Sequence, residues 1–286
     1  MRPILILICC EAVGGKVEDA LSFTPIPEII HNGTLVADDI EDNSNLRRGK
    51  PSIHVAYGVD IAINLSSTMM MLPIQIIRDS GLPPETKNKA YDIISTLLLK
   101  CHIGQAADIY WHTGKSATIP SEAEYFQMCS DKTGALASMA AQLGALLGGG
   151  NEEQITILGS FAEKAGVAFQ VQDDILDFEA AGATGKEYAD DISEGKRTLL
   201  VIHTLNKAPA EERNRLLQIL NMRTKDEKLL REAVAIIKKH NSIEYAQQAM
   251  HNLIEDAWKQ VDAVLRESEA KVKLKQFSQM LVNRLV

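Results

Sequence analysis

Nearly every stretch of this 286-residue chain carries the period of an amphipathic helix, and none sustains the alternation of a strand. That confines it to all-α architectures. Helices are expected over 3–12, 28–42, 59–79 (with Pro73 inside as a kink) and from Pro83-Pro84 through about 112. Ser121-x-x-Glu124 is a capping-box pattern opening a short helix, and 133–148 and 152–178 follow. Gly182 to Gly195 reads as a polar, charged loop. Further helices are expected over 197–206, 210–221, 225–240 and 242–266, with a last one to the C-terminus. No repeat or linker divides the chain, so a single-domain, all-α layout over 1–286 is expected.

The composition agrees with that layout. Hydrophobic residues make up 45%, enough for a core, and aromatics only 5%. A net charge of −8 offers no footprint for a polyanion, which argues against a nucleic-acid partner. The four cysteines show no ligand spacing and read as buried free thiols in a reducing cytoplasm. The apolar run 4–10 is short for a signal peptide, and no run approaches the roughly 20 residues of a transmembrane span. The Ala-, Leu- and Gly-rich residues 134–150, which include Gln142, read as a tightly packed internal helix.

Two acidic clusters of the same design stand inside helical segments. One is Asp38-Asp39-Ile40-Glu41-Asp42 and the other Asp173-Asp174-Ile175-Leu176-Asp177. Each places carboxylates at i, i+1 and i+4, so Asp38 shares a helix face with Asp42, and Asp173 with Asp177. Like charges at that spacing cost about 0.2–0.5 kcal/mol per pair, which calls for a counter-charge. Mg2+, a hard cation that bridges carboxylate and phosphate, suits such a cluster.

Basic residues stand near both clusters. Arg47-Arg48-Gly49-Lys50 follows the first, and arginine's forked donor matches phosphate oxygens. Alone, that run is more often a solvated turn. Ser130-Asp131-Lys132-Thr133-Gly134 precedes the second cluster, and Gly185-Lys186 and Lys196 follow it. Any single lysine is usually surface; the conjunction is what points to a diphosphate site.

With these motifs in this order, the chain resembles the trans-isoprenyl diphosphate synthases of the polyprenyl synthetase family. The likeness runs from Arg2 to about Thr198, with Phe169-Gln170 and Gly104-Gln105-Ala-Ala-Asp108 in family order. The resemblance implies an all-α bundle around a deep central cavity, usually homodimeric. It also implies Mg2+-dependent head-to-tail coupling of isopentenyl diphosphate with an allylic diphosphate. Asp38, Asp39 and Asp42 would hold Mg2+ against the allylic diphosphate, and Asp173, Asp174 and Asp177 would hold it from the opposite wall, with Asp108 assisting. Arg47, Lys132 and Lys196 would complete the allylic cage. Arg2, His31 and Arg48 would bind isopentenyl diphosphate, Thr133 and Gln170 would face the developing carbocation, and Gln105 and Lys186 would contact substrate.

Family members begin earlier, with a Gly-Lys-x-x-Arg-Pro stretch of which only Arg2-Pro3 stands here, so a late-assigned start is expected. Product length is read from the helix before Asp38. Thr34 and Gly33 are small where farnesyl-type members carry aromatics, and Ile30 lies a turn further down, so an open channel with a C20 product is expected. C15 or longer products, a non-catalytic subunit of a heteromeric synthase, and a terpene cyclase are the alternatives.

Overall fold

A computed structural model describes residues 1–112, 119–179 and 189–282. The described elements are helices but for one minimal hairpin. In chain order the helices are α1 (Arg2–Ala12), α2 (Val17–Leu21), α3 (Pro25–Glu41), α4 (Ile53–Tyr57), α5 (Val59–Asp79) and α6 (Pro84–His112). Then come α7 (Glu122–Cys129), α8 (Ala135–Leu147), α9 (Glu152–Glu179), α10 (Asp190–Glu194) and α11 (Leu199–Lys207). The last four are α12 (Ala210–Met222), α13 (Glu227–Lys239), α14 (Ser242–Val264) and α15 (Glu269–Val282).

The long helices fall where periodicity and punctuation place them. Proline occupies the first turn of α1, α3 and α6, where its missing N–H costs no hydrogen bond. Ser121 and Glu124 form the reciprocal capping box that opens α7. Helix α7 does not end before α8. A π-helical turn, Ser130–Gly134, joins the two.

The chain forms two compact units. The first comprises Met1–Leu99, Leu136–Ala162 and Val261–Leu274. Here α1 and α8 pack almost backbone to backbone. A Cβ at Gly144 would fall 2.2 Å from the Ile6 carbonyl oxygen, so only glycine permits that approach. The tight internal packing expected for 134–150 has this physical basis. Helix α5 lies on α3 through Ala62, Ser66, Met70, Pro73 and Ile77, and the Ser66 hydroxyl donates to the Gly33 carbonyl at 2.8 Å. By length and composition α5 could cross a membrane. Asn64, Ser66, Ser67 and Thr68 interrupt its apolar sequence.

The second unit comprises Lys100–Ala135, Glu163–Gln260 and Lys275–Val286. Its core gathers Tyr125, Cys129, Val171, Ile175, Phe178, Ile192 and the buried faces of α11 to α14. Burying apolar side chains of this size is worth about 1.5–3 kcal/mol each. That core fixes the helices that carry the second acidic cluster.

Candidate active site

The first cluster closes α3. Asp38 and Asp39 stand in the last turn and Asp42 caps it, with no basic residue in that turn. Carboxylates at a helix C-terminus meet the negative end of the dipole as well as one another. The offset comes from the hairpin that follows. Strands β1 (Leu46–Arg47) and β2 (Lys50–Pro51) pair antiparallel, Arg47 opposite Lys50. Arg48 and Gly49 form the two-residue turn, both at positive φ (53° and 74°). This turn aims Arg47 back at the helix end. Its Nε donates to Asp39 Oδ1 at 2.8 Å and its Nη2 to Asp38 Oδ2 at 3.1 Å. Asp39 is only 3% exposed. Burial opposes the Arg47 charge, but the hydrogen bond and charge of Asp39 outweigh it and hold the guanidinium above its usual pKa.

The residues assigned to isopentenyl diphosphate, Arg2, His31 and Arg48, all lie in this unit. His31, on α3, is pushed down to about 3 by burial and then by the charges of Arg2, Arg48 and Arg47. Arg2 Nη1 lies 3.6 Å from Glu28 Oε1. The arginine charges felt at His31 make a positive field suited to a diphosphate.

The channel picture needs one correction. Gly33 does not border open space. A Cβ there would lie 3.0 Å from Met69 Cβ and 3.2 Å from the Ser66 carbonyl oxygen, so Gly33 is the point where α3 and α5 cross. Thr34 is half-buried, its hydroxyl donating to the His31 carbonyl at 2.9 Å, and Ile30 is fully buried.

The second unit encloses a cavity lined in part by Asp108, Tyr125, Lys132, Gln170, Asp174 and Lys196. The π-helical turn presents Lys132 and Thr133, and such turns concentrate at functional sites. Helix α6 crosses it at Gly104, where a Cβ would fall 2.3 Å from the Lys132 nitrogen. That approach lets Lys132 Nζ reach Asp108 Oδ2 at 2.6 Å. Burial pushes the Asp108 carboxyl up, but His112, 3.7 Å away, and the charges of Lys132 and Lys196 prevail and hold it well below the carboxylate range. Gln105 lies half-buried on α6, one turn before Asp108. Lys196 Nζ lies 3.3 Å from Asp191 Oδ1 and 2.7 Å from Glu194 Oε2. Burial opposes its charge, yet these carboxylates and Asp108 hold it well above the usual lysine value. Lys186 lies outside the described residues.

The second cluster stands in the last turns of α9. Asp173 is half-buried, while Asp174 and Asp177 are buried. Asp177 Oδ2 accepts the Asp191 backbone N–H at 3.1 Å, which ties α9 to the start of α10. Asp174 accepts from Tyr125 Oη (2.6 Å) and Gln170 Nε2 (3.0 Å), and Gln170 Oε1 accepts from Thr133 Oγ1 (3.0 Å). Burial first, then the Asp191 charge, pushes the Asp174 carboxyl up, against the lowering pull of the Tyr125 and Gln170 hydrogen bonds. Sequence reasoning missed the site roles of Tyr125 and Asp191. Tyr125 has no spacing relation to the aspartate motifs, its only signal being the capping box one residue before it; Asp191 stands at the head of the run Asp191-Ile-Ser-Glu-Gly-Lys196 that follows the second cluster.

Among the described residues, no group of three or more His, Cys, Asp or Glu side chains could hold a metal ion alone. The donor set instead fits Mg2+, which keeps waters and is taken by one or two carboxylates together with substrate phosphates.

An all-α chain with two such acidic helix ends, each beside its own arginines or lysines, has the layout of a diphosphate-handling enzyme. The sequence profile of the polyprenyl synthetase family matches residues 1–237, and the chain belongs to that family. The short chain isoprenyl diphosphate synthase of Methanothermobacter thermautotrophicus is 33% identical over 285 residues, covering 99% of this chain and 86% of the relative. The geranylgeranyl diphosphate synthase of Sulfolobus acidocaldarius is 35% identical over 274 residues, 95% of this chain and 81% of that one. The crystal structure of geranylgeranyl pyrophosphate synthetase from Pyrococcus horikoshii superposes with a TM-score of 0.90 at 33% identity, covering 100% of this chain and 86% of that one. A Corynebacterium glutamicum geranylgeranyl pyrophosphate synthase, solved with isoprenyl diphosphate and magnesium, gives 0.88 at 25% identity, with coverages of 100% and 86%.

Proposed function

We propose that this chain is a Mg2+-dependent prenyltransferase that couples isopentenyl diphosphate head-to-tail to an allylic diphosphate, with a C20 product. The observation that carries the reading is a cation held on carboxylates in each unit: Arg47 donates to Asp38 and Asp39 at the end of α3, and Lys132 donates to Asp108. Such pairs suit a metal-bound diphosphate. The archaeal relatives named geranylgeranyl diphosphate synthase support the C20 assignment.

Asp38, Asp39 and Asp42, with Asp173, Asp174 and Asp177, would hold Mg2+, with Asp108 assisting; the magnesium in the Corynebacterium structure supports the choice of metal. Bound there, the metal would neutralise charge on the leaving diphosphate. Asp39 keeps Arg47 oriented toward the acidic helix end. Lys132 and Lys196 offer ammonium donors where negative charge builds as the allylic C–O bond breaks. Arg2, His31 and Arg48 hold isopentenyl diphosphate so that its double bond meets the cation. Thr133 and Gln170 present dipoles to that cation. The proton lost from the coupled product goes to the departed diphosphate. Apolar walls keep water from capturing the cation.

The enzyme works as a homodimer. Support comes from α5, where Ile61, Leu65 and Leu72 share a face and are exposed. Sedimentation of Leu65→Lys against the native chain tests this, with a monomeric variant expected and an equally dimeric one contrary. The function itself is tested by Mg2+-dependent formation of a C20 prenyl diphosphate from isopentenyl diphosphate and an allylic primer.

A further inference from the structure

Tyr125 is fully buried in the second unit's core, yet its hydroxyl reaches the cavity wall at Asp174. A buried phenol needs a partner, and this one takes a carboxylate of the second acidic motif. Asp174 then has Oδ2 taken by Tyr125 and Oδ1 taken by Gln170 Nε2. With the amide nitrogen committed to Asp174, Gln170 can only turn its carbonyl to Thr133, whose hydroxyl donates to it. The chain of donors has one direction, from Thr133 through Gln170 to Asp174, with Tyr125 closing the far side.

We propose that Tyr125 is a positioning residue for the coupling reaction. By fixing Asp174 it fixes the Gln170 amide, and so leaves the lone pairs of Thr133 Oγ1, not its proton, for the developing allylic cation. The inference rests on the prenyltransferase reading given above.

The test is a double-mutant cycle of Tyr125→Phe and Thr133→Val in the full chain. Tyr125→Phe should lower kcat by about tenfold or more, with KM for both substrates within about twofold. In the Thr133→Val background the same change should add little. Calorimetric binding of pyrophosphate with Mg2+ should be unchanged in Tyr125→Phe. Additive losses, or a loss confined to KM, would overturn the inference. If Tyr125→Phe does not fold, neutron diffraction on the native protein decides. A Thr133 deuteron on the Gln170 side supports the proposal, and one pointing away overturns it. A native enzyme without prenyl transfer would instead remove the prenyltransferase reading itself.

Discussion

Arg47 donates two hydrogen bonds into the end of α3, to Asp39 at 2.8 Å and to Asp38 at 3.1 Å. Asp39 is buried and Arg47 is half-buried, so solvent screens the pair only in part. The guanidinium meets the two carboxylates through separate N–H groups held in one rigid plane, a geometry that the point charge of a lysine does not reproduce. Arg47→Lys should therefore reduce kcat/KM by about 10- to 100-fold, the loss of a charge-assisted hydrogen bond worth about 1.5–3 kcal/mol. Steady-state kinetics with varied allylic primer checks this; an unchanged kcat/KM would contradict it.

Arg48 sits in the left-handed region at φ 53°, at the first turn position of the hairpin. Glycine adopts that conformation without strain, and relief should stabilise the fold by up to about 1 kcal/mol. Arg48→Gly should then raise the melting temperature slightly while raising KM for isopentenyl diphosphate at least several-fold. Calorimetry and kinetics on the one variant read both effects.

Gly33 is where α3 crosses α5, with Met69 Cβ and the Ser66 carbonyl at 3.0 and 3.2 Å from a would-be Cβ. A phenylalanine there must part the two helices. Overpacking of this kind costs about 1–3 kcal/mol, so Gly33→Phe should melt several degrees lower. A variant that melts normally and makes a shorter product would restore an open channel at this position.

His31 has its pKa lowered to about 3 by burial and by Arg2, Arg48 and Arg47. Its imidazole is neutral in the fold at every pH above that value, whereas in the unfolded chain it titrates near the ordinary histidine value. The stability it contributes is complete above about pH 6.5 and is lost as the pH falls toward 3. NMR titration of the imidazole nitrogens, assigned with His31→Gln, should show no protonation at pH 5. Added pyrophosphate, by offsetting the arginine charges, should raise the midpoint.

The helices were legible because sequence punctuates them. Val59–Asp79 stands where periodicity places it, and Ser121 and Glu124 open α7 as their spacing predicts. Five-residue helices such as Val17–Leu21 and Ile53–Tyr57 are too short to show a period. The hairpin was hidden because its strands have two residues each and its turn carries Arg48 where asparagine or glycine is the usual signal. Both acidic clusters could be read from local spacing. Tyr125 could not, because 49 residues separate it from Asp174 and only the fold joins them. Gly33 was legible as small, but which way its Cβ would point depends on how α3 meets α5.

The most direct measurement is product analysis. The protein is incubated with isopentenyl diphosphate and dimethylallyl, geranyl or farnesyl diphosphate, with and without Mg2+, and the dephosphorylated prenols are separated. The account predicts a C20 prenol that disappears when EDTA removes the metal. A C15 end product would contradict the assigned chain length, and no prenol under any primer would contradict the catalytic reading.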